Sequence, residues 1–167
     1  FNPKILMWGE DLADPKGGVF GVTRGLSTAY PDRVYNSHLA AASLIGVAGG
    51  MAIAGYKPIV EIQFSDYMWP AFMQIRNEVP TVRWRSQGMW TCPVVIRMPV
   101  GGHIKGGPWH SACVEAFLAH IPGWRIVFPS SAEDAKGLMK SAARSQDPVI
   151  FLECKGLYRR MEARTPE

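Results

Sequence analysis

Six short runs rich in β-branched and aliphatic residues recur along the chain, and each is separated from the next by a stretch long enough for a helix. This alternation narrows the fold more than any other feature, because it is the pattern of βα units stacked into a mainly parallel sheet. The predicted strands are 5–8, 33–35, 59–63, 94–98, 125–128 and 149–153; the predicted helices are 19–29, 39–54, 67–78, 114–120 and 132–144. Segments such as PVVIRM and PVIFLE are apolar at successive positions, so helices must cover both faces of the sheet, giving a three-layer α/β domain. The helix over 132–144 carries the fullest end signals. Pro129, Ser130 and Ser131 precede it, Glu133 and Asp134 suit its positive end, and Lys140 and Arg144 suit the other. With 167 residues, 47% of them apolar, the chain has material for one closed core.

Several function classes are excluded at this level. The net charge of +4 suits an anionic ligand without calling for nucleic acid, and the single patch Arg83, Trp84, Arg85 reads as a solvated face. Cys92, Cys113 and Cys154 are odd in number with no Cys-x-x-Cys pair, so neither a disulfide framework nor a zinc ribbon is expected. His103, His110 and Cys113 do not have a usual metal-ligand spacing. The run LAAASLIGVAGGMAIAGY, residues 39–56, approaches the length of a membrane span. It is mostly Ala and Gly and runs straight into Lys57-Pro58 and a strand, so no membrane association is predicted. Gly46 and Gly50 lie one turn apart on that helix with Gly49 beside them, which permits close backbone approach, either inside the chain or across a subunit interface. The chain starts with Phe and shows no signal pattern, so it reads as an excised piece.

In such sheets chemistry sits beyond the carboxyl ends of the strands, here the stretches 36–43, 64–72 and 101–112. No Gly-x-Gly-x-x-Gly follows a strand and no phosphate-loop signature occurs, so a self-contained nucleotide enzyme is not expected. The loop GGHIKGGPWHSA holds four glycines around His103, Lys105 and His110; it reads either as a mobile cationic segment over an anionic substrate or as a plain solvated loop. Phe64, Tyr67, Trp69 and Phe72 could stack on a flat heteroaromatic ring, or could be ordinary core.

Taken in order, the blocks WGEDLADPKGGVFGVTRGL, RVYNSHLAAASLIGVAGGMAIAGYKPIVEIQFSDYMWPAFMQIRNE, CPVVIRMPVGGHIKGGPWHSA, HIPGWRIVFPSSAEDAKGLMKSA and DPVIFLECKGLYR carry a resemblance over nearly the whole chain. The chain resembles the transketolase-like pyrimidine-binding domain of the β subunit of thiamine-diphosphate-dependent 2-oxo acid dehydrogenases. The resemblance implies a domain over 1–156 and a tail or linker over 157–167. It implies half of a cofactor site: this domain holds the aminopyrimidine of thiamine diphosphate, while an α partner binds the diphosphate through Mg²⁺. The chain lacks the family's Gly-Asp-Gly metal-diphosphate signature, in keeping with that division. The implied reaction is oxidative decarboxylation of a 2-oxo acid with acyl transfer to a lipoyl-bearing second component. The implied assembly is a heterotetramer with β–β self-association, in the cytoplasm of a bacterium or in the mitochondrial matrix.

Residue by residue, the resemblance places Tyr67 on the pyrimidine ring with Phe64 close by. It makes His110 the active-site histidine, within a substrate loop that includes His103, Lys105 and Ser111. Gly46 and Gly50 fall at the domain interface, and the backbone carbonyls of Val94, Ala142, Ser145 and Asp147 fall where some members hold K⁺. One position departs sharply. The family's essential glutamate falls on Ala41, and its role there is to hydrogen-bond a pyrimidine nitrogen and favour the imino tautomer that takes up a proton. Alanine cannot do this, so impaired activity is expected, with a catalytically inactive assembly or regulatory subunit as the alternative. His38 replaces the usual proline and is the nearest other group able to carry a proton; Ala112 replaces the usual glutamine after His-Ser.

Overall fold

The computed structural model describes residues 2–158 and residue 165. Six strands form one sheet: β1 (Ile5–Gly9), β2 (Val34–Asn36), β3 (Lys57–Glu61), β4 (Val95–Val100), β5 (Arg125–Val127) and β6 (Val149–Cys154). Their order is β2-β1-β3-β4-β6-β5, and every neighbouring pair is parallel. All six expected strands are present within a few residues of their expected bounds. The helices are α1 (Leu26–Ala29), α2 (Ala41–Ile53), α3 (Val82–Arg85), α4 (Glu115–Ala119) and α5 (Ala132–Arg144).

Because successive strand residues point to opposite faces, the central strands feed two cores. Val60, Ile96, Ile150 and Leu152 pack with Leu44, Ile45, Ala48 and Ala52 of α2 on one face. Ile59, Val95, Val149 and Phe151 meet Ala142 of α5 on the other, with Leu138 and Met139 packed against them. The three-layer expectation holds for this reason. Where α5 begins, the Ser131 side chain accepts the Asp134 N–H at 3.0 Å, as its capping residues require.

Two predicted helices differ from what forms. The segment 19–29 is helical only over Leu26–Ala29, because Gly21 and Gly25 take φ of 72° and 87°, values that end regular helix before it can start. That loop is instead pinned by the Asp14 carboxylate, which accepts from the Gly25 N–H at 2.6 Å, the Ser27 hydroxyl at 2.8 Å and the Thr28 hydroxyl at 2.7 Å. The segment 67–78 splits into a 3-10 helix over Ser65–Ala71 and a π-helical turn over Gln74–Glu78. Pro70 lies inside the first piece and has no N–H to continue an α-helical ladder. The tail expected over 157–167 lies outside the described residues except for Leu157, Tyr158 and Thr165. Among the described residues no helix is long and apolar enough to cross a membrane.

Candidate functional site

The carboxyl ends of β3, β4 and β6 bring together three segments distant in sequence. Phe64 follows β3 in extended conformation and starts the 3-10 helix that carries Tyr67. The loop after β4 returns to its own base, where the Gly101 N–H donates to the Ala112 carbonyl at 3.0 Å, and this closure holds His110 beside both rings. The Phe64 and His110 rings meet edge to face at 4.6 Å between centroids, and Phe64 and Tyr67 do so at 5.4 Å. His110 Nδ1 lies 3.0 Å from the Gly106 carbonyl, which can only accept, so the proton sits on Nδ1. In the neutral ring Nε2 then accepts from the Tyr67 hydroxyl, 2.7 Å away. Gly106 must be glycine for this turn, since an added Cβ would stand 2.6 Å from the Cβ of His110.

Next to this cluster lies a cavity of about 210 Å³ between the end of β1, the start of α2 and the 3-10 helix. Leu39, Ala41, Leu44, Ile62 and Tyr67 give it an apolar and aromatic lining of a size suited to one heteroaromatic ring. Glu10, the turn residue that follows β1, also lines it. Burial pushes the Glu10 carboxyl upward; the Ala40 N–H pulls it down and the neighbouring Asp11 charge adds to the rise.

The structure brings Phe64, Tyr67, His110 and Ala41 into one region. Phe64 is buried and Tyr67 half exposed, so the first reads as support and the second as a contact surface. Trp69 and Phe72 separate from them and join Phe117 in another aromatic cluster. His103 and Lys105 are exposed, and the His103 ring lies 3.6 Å from where a Cβ on Gly156 would stand, next to Lys155. Ser111 turns back to donate to the Gly107 carbonyl at 2.6 Å. His38 is exposed and does not line the cavity.

On α2 the internal close approach uses Gly49, whose added Cβ would stand 3.4 Å from Val79, whereas nothing lies within 4 Å of the position at Gly50. Gly46 and Gly50 are exposed, with the exposed Val47 next to Gly46 and the Gln74 side chain 3.8 Å from where a Cβ on Gly46 would stand. Each carbonyl of the expected K⁺ position already accepts a donor: Val94 from the Val149 N–H, Ala142 from the Ser145 N–H, Ser145 from Lys57 Nζ at 2.6 Å, and Asp147 from the Ser145 hydroxyl. Among the described residues no group of three or more His, Cys, Asp or Glu is placed to hold a metal ion. The arginines of the basic patch are paired, Arg83 with Asp147 and Arg85 with Glu78.

Sequence reasoning missed Lys155, which reaches from the end of β6 to the His110 carbonyl at 2.6 Å and lies over the Phe64 ring at 5.1 Å. Burial pushes its ammonium below the ordinary lysine range, opposed by the charge of Asp66. Asp66, also missed, accepts the Ala112 N–H at 3.2 Å, while the Ser65 hydroxyl donates to the Ala112 carbonyl at 3.1 Å. Residue 112 thus acts through its backbone. Beneath the site Arg97 binds Glu153 through two nitrogens at 2.6 and 2.8 Å and Glu61 at 2.7 Å. Charged residues inside predicted strands were the available signal for this network.

Comparison with known proteins places these features. A family model described as "Transketolase, pyrimidine binding domain" matches residues 2–161. The chain is 44% identical over 166 residues to the 2-oxoisovalerate dehydrogenase subunit beta of Bacillus subtilis, covering 99% of this chain and 50% of that protein. The identity to the pyruvate dehydrogenase E1 component subunit beta of Mycoplasma pneumoniae is also 44%, with the same coverage. The chain therefore spans about half the length of the curated relatives it matches. A solved structure described as a split gene transketolase, inactive beta4 tetramer, aligns with TM-score 0.75 and 24% identity over 99% of this chain and 50% of that one, a likeness of fold.

Proposed function

The chain belongs to the transketolase pyrimidine-binding domain family, and from that premise we propose that it supplies the pyrimidine side of a thiamine diphosphate site in a 2-oxo acid dehydrogenase β subunit. The parent reaction is oxidative decarboxylation of a 2-oxo acid with acyl transfer to lipoamide. One arrangement carries the reading: an apolar ring-sized cavity walled by Tyr67 and Ala41 adjoins the Tyr67–His110 hydrogen bond at the carboxyl end of a parallel sheet.

The donor set fits half of the cofactor. Leu39, Ile62 and Tyr67 suit the faces of a heteroaromatic ring, and Glu10 offers the lining a carboxyl. Nothing in the sequence matches the diphosphate signature, so Mg²⁺ and the diphosphate fall to an α partner. When bound, thiamine diphosphate supplies a nucleophilic carbon and an electron sink for the decarboxylation. The chain's own residues position and move protons. With Nδ1 donating to the Gly106 carbonyl, the neutral His110 ring turns Nε2 toward the Tyr67 hydroxyl, which places that nitrogen to take up and return a proton. Lys155 fixes the His110 backbone from below, and the loop over 101–112 shields the site. The exposed Gly46 and Gly50 face suits the α or β partner. The domain takes in residues 1–156, with 157–167 as a tail or the start of a linker. A K⁺ ion at the Val94, Ala142, Ser145 and Asp147 carbonyls would share Ser145 with the Lys57 ammonium.

Ala41 offers no acid where α2 begins, and this observation favours a second reading, a non-catalytic assembly subunit. The Ala41→Glu variant separates the two, assayed with the α partner on pyruvate and branched 2-oxo acids. The catalytic reading expects turnover to rise by roughly 10²-fold, the scale of one positioned acid–base group. No gain, with cofactor bound normally, selects the assembly reading.

A further inference from the structure

Resting on the reading above, we infer that Glu10, at the end of β1, supplies the carboxyl that hydrogen-bonds the polar edge of the pyrimidine in place of an acid at position 41. A ring with a nitrogen on its edge loses a water partner on entering an apolar cavity and needs a protein partner to replace it. Two residues with carboxyl groups line this cavity, Glu10 and Glu61. The Glu61 carboxylate is turned away: Arg97 holds it at 2.7 Å, and its other oxygen lies 3.1 Å from where a Cβ on Gly18 would stand. Asp11 is next in sequence but is paired with Lys16 at 2.8 Å, and it is not among the lining residues. Glu10 is the carboxyl that remains.

Its setting suits the role. Glu10 lines the same cavity as Ala40 and Ala41 at the start of α2, its carboxyl accepts from the Ala40 N–H, and Ala41 brings only a methyl group to the lining. Half-buried, the carboxyl is held above the ordinary glutamate range by burial, with the Ala40 N–H opposing the rise, and its oxygens can accept from a ring N–H. Glu10 acts here as a positioning residue for the ring. It does not reproduce the placement of an acid borne on α2, which is why a gain is still expected from Ala41→Glu.

The test is calorimetric titration of the full-length subunit with its α partner, using thiamine diphosphate and an analogue in which the pyrimidine nitrogen N1′ is replaced by C–H. The unmodified complex is expected to prefer thiamine diphosphate by about tenfold or more, the scale of a hydrogen bond to an ionisable group. Glu10→Ala is expected to bring the preference to within about twofold while affinity for the analogue stays unchanged, which shows the site intact. Glu10→Leu, closer in volume, gives the same loss, and Glu10→Ala combined with Ala41→Glu recovers the preference. A preference retained in either single variant, or absent from the unmodified complex, overturns the assignment of Glu10. Failure of the unmodified complex to bind thiamine diphosphate better than the α partner alone overturns the cofactor reading itself.

Discussion

Among the described residues the Tyr67 hydroxyl is the polar partner of His110 Nε2, so one phenol and one backbone carbonyl, with the Phe64 ring beside them, orient that imidazole. Tyr67→Phe is expected to lower stability by about 1 kcal/mol, measured by urea unfolding, since one hydrogen bond is lost at a half-exposed position. Under the proposed function, the same change made in a complex with an α partner is expected to slow turnover more than it weakens cofactor binding, because the ring wall survives. The cysteines make a second prediction at this scale. Burial pushes the Cys92 thiol up to about 11, whereas Cys113 is exposed. Thiolate is the reactive form. Iodoacetamide near pH 8 is therefore expected to label Cys113 first and to reach Cys92 only when the protein is unfolded, as read by peptide mass spectrometry. Early labelling of Cys92 contradicts the packing described.

Among the elements, α5 is where local chemistry and tertiary structure agree. Its cap, its charges and its bounds all match the sequence pattern, and Ser131→Ala is expected to cost about 1 kcal/mol in thermal or urea unfolding. The stretch 65–78 shows the opposite. Its apolar spacing fits one continuous helix, yet Met68 and Ala71 reach the core from a 3-10 helix and Ile75 from a π-helical turn. Pro70 sets the break, and the change of helical period turns Tyr67 to the cavity. The stretch 19–29 was misread for a related reason: its helix-forming residues are interrupted by glycines in the left-handed region, and the chain there is organised by the hydrogen bonds of Asp14.

For the whole molecule, the ion network of Glu61, Arg97 and Glu153 ties β3, β4 and β6 together below the site, and the Tyr158 hydroxyl donates to Glu153. Arg97→Met is expected to cost roughly 3–5 kcal/mol near neutral pH, because it leaves two buried carboxylates unpaired. The pH dependence has a definite sign. Burial already holds the Glu61 carboxyl above 4.5, so its share of stability is complete below that value and declines as the pH rises through the folded one. Without Arg97 that rise is larger, and the deficit is expected to shrink as the medium is acidified, measured by urea unfolding across pH. A deficit independent of pH would mean that the carboxylates find other partners.

The sequence by itself determined the parallel sheet and the two covering layers, because doubly apolar strands and a capped amphipathic helix follow from local periodicity. It also raised His110, Tyr67 and Ala41 as candidate site positions, through the order of its blocks. Only the tertiary structure decided which side chains share a cavity. Lys155 reaches His110 across 45 residues, and Glu10 and Ala41 line one cavity, placements created by strand order and crossover, which no local pattern encodes.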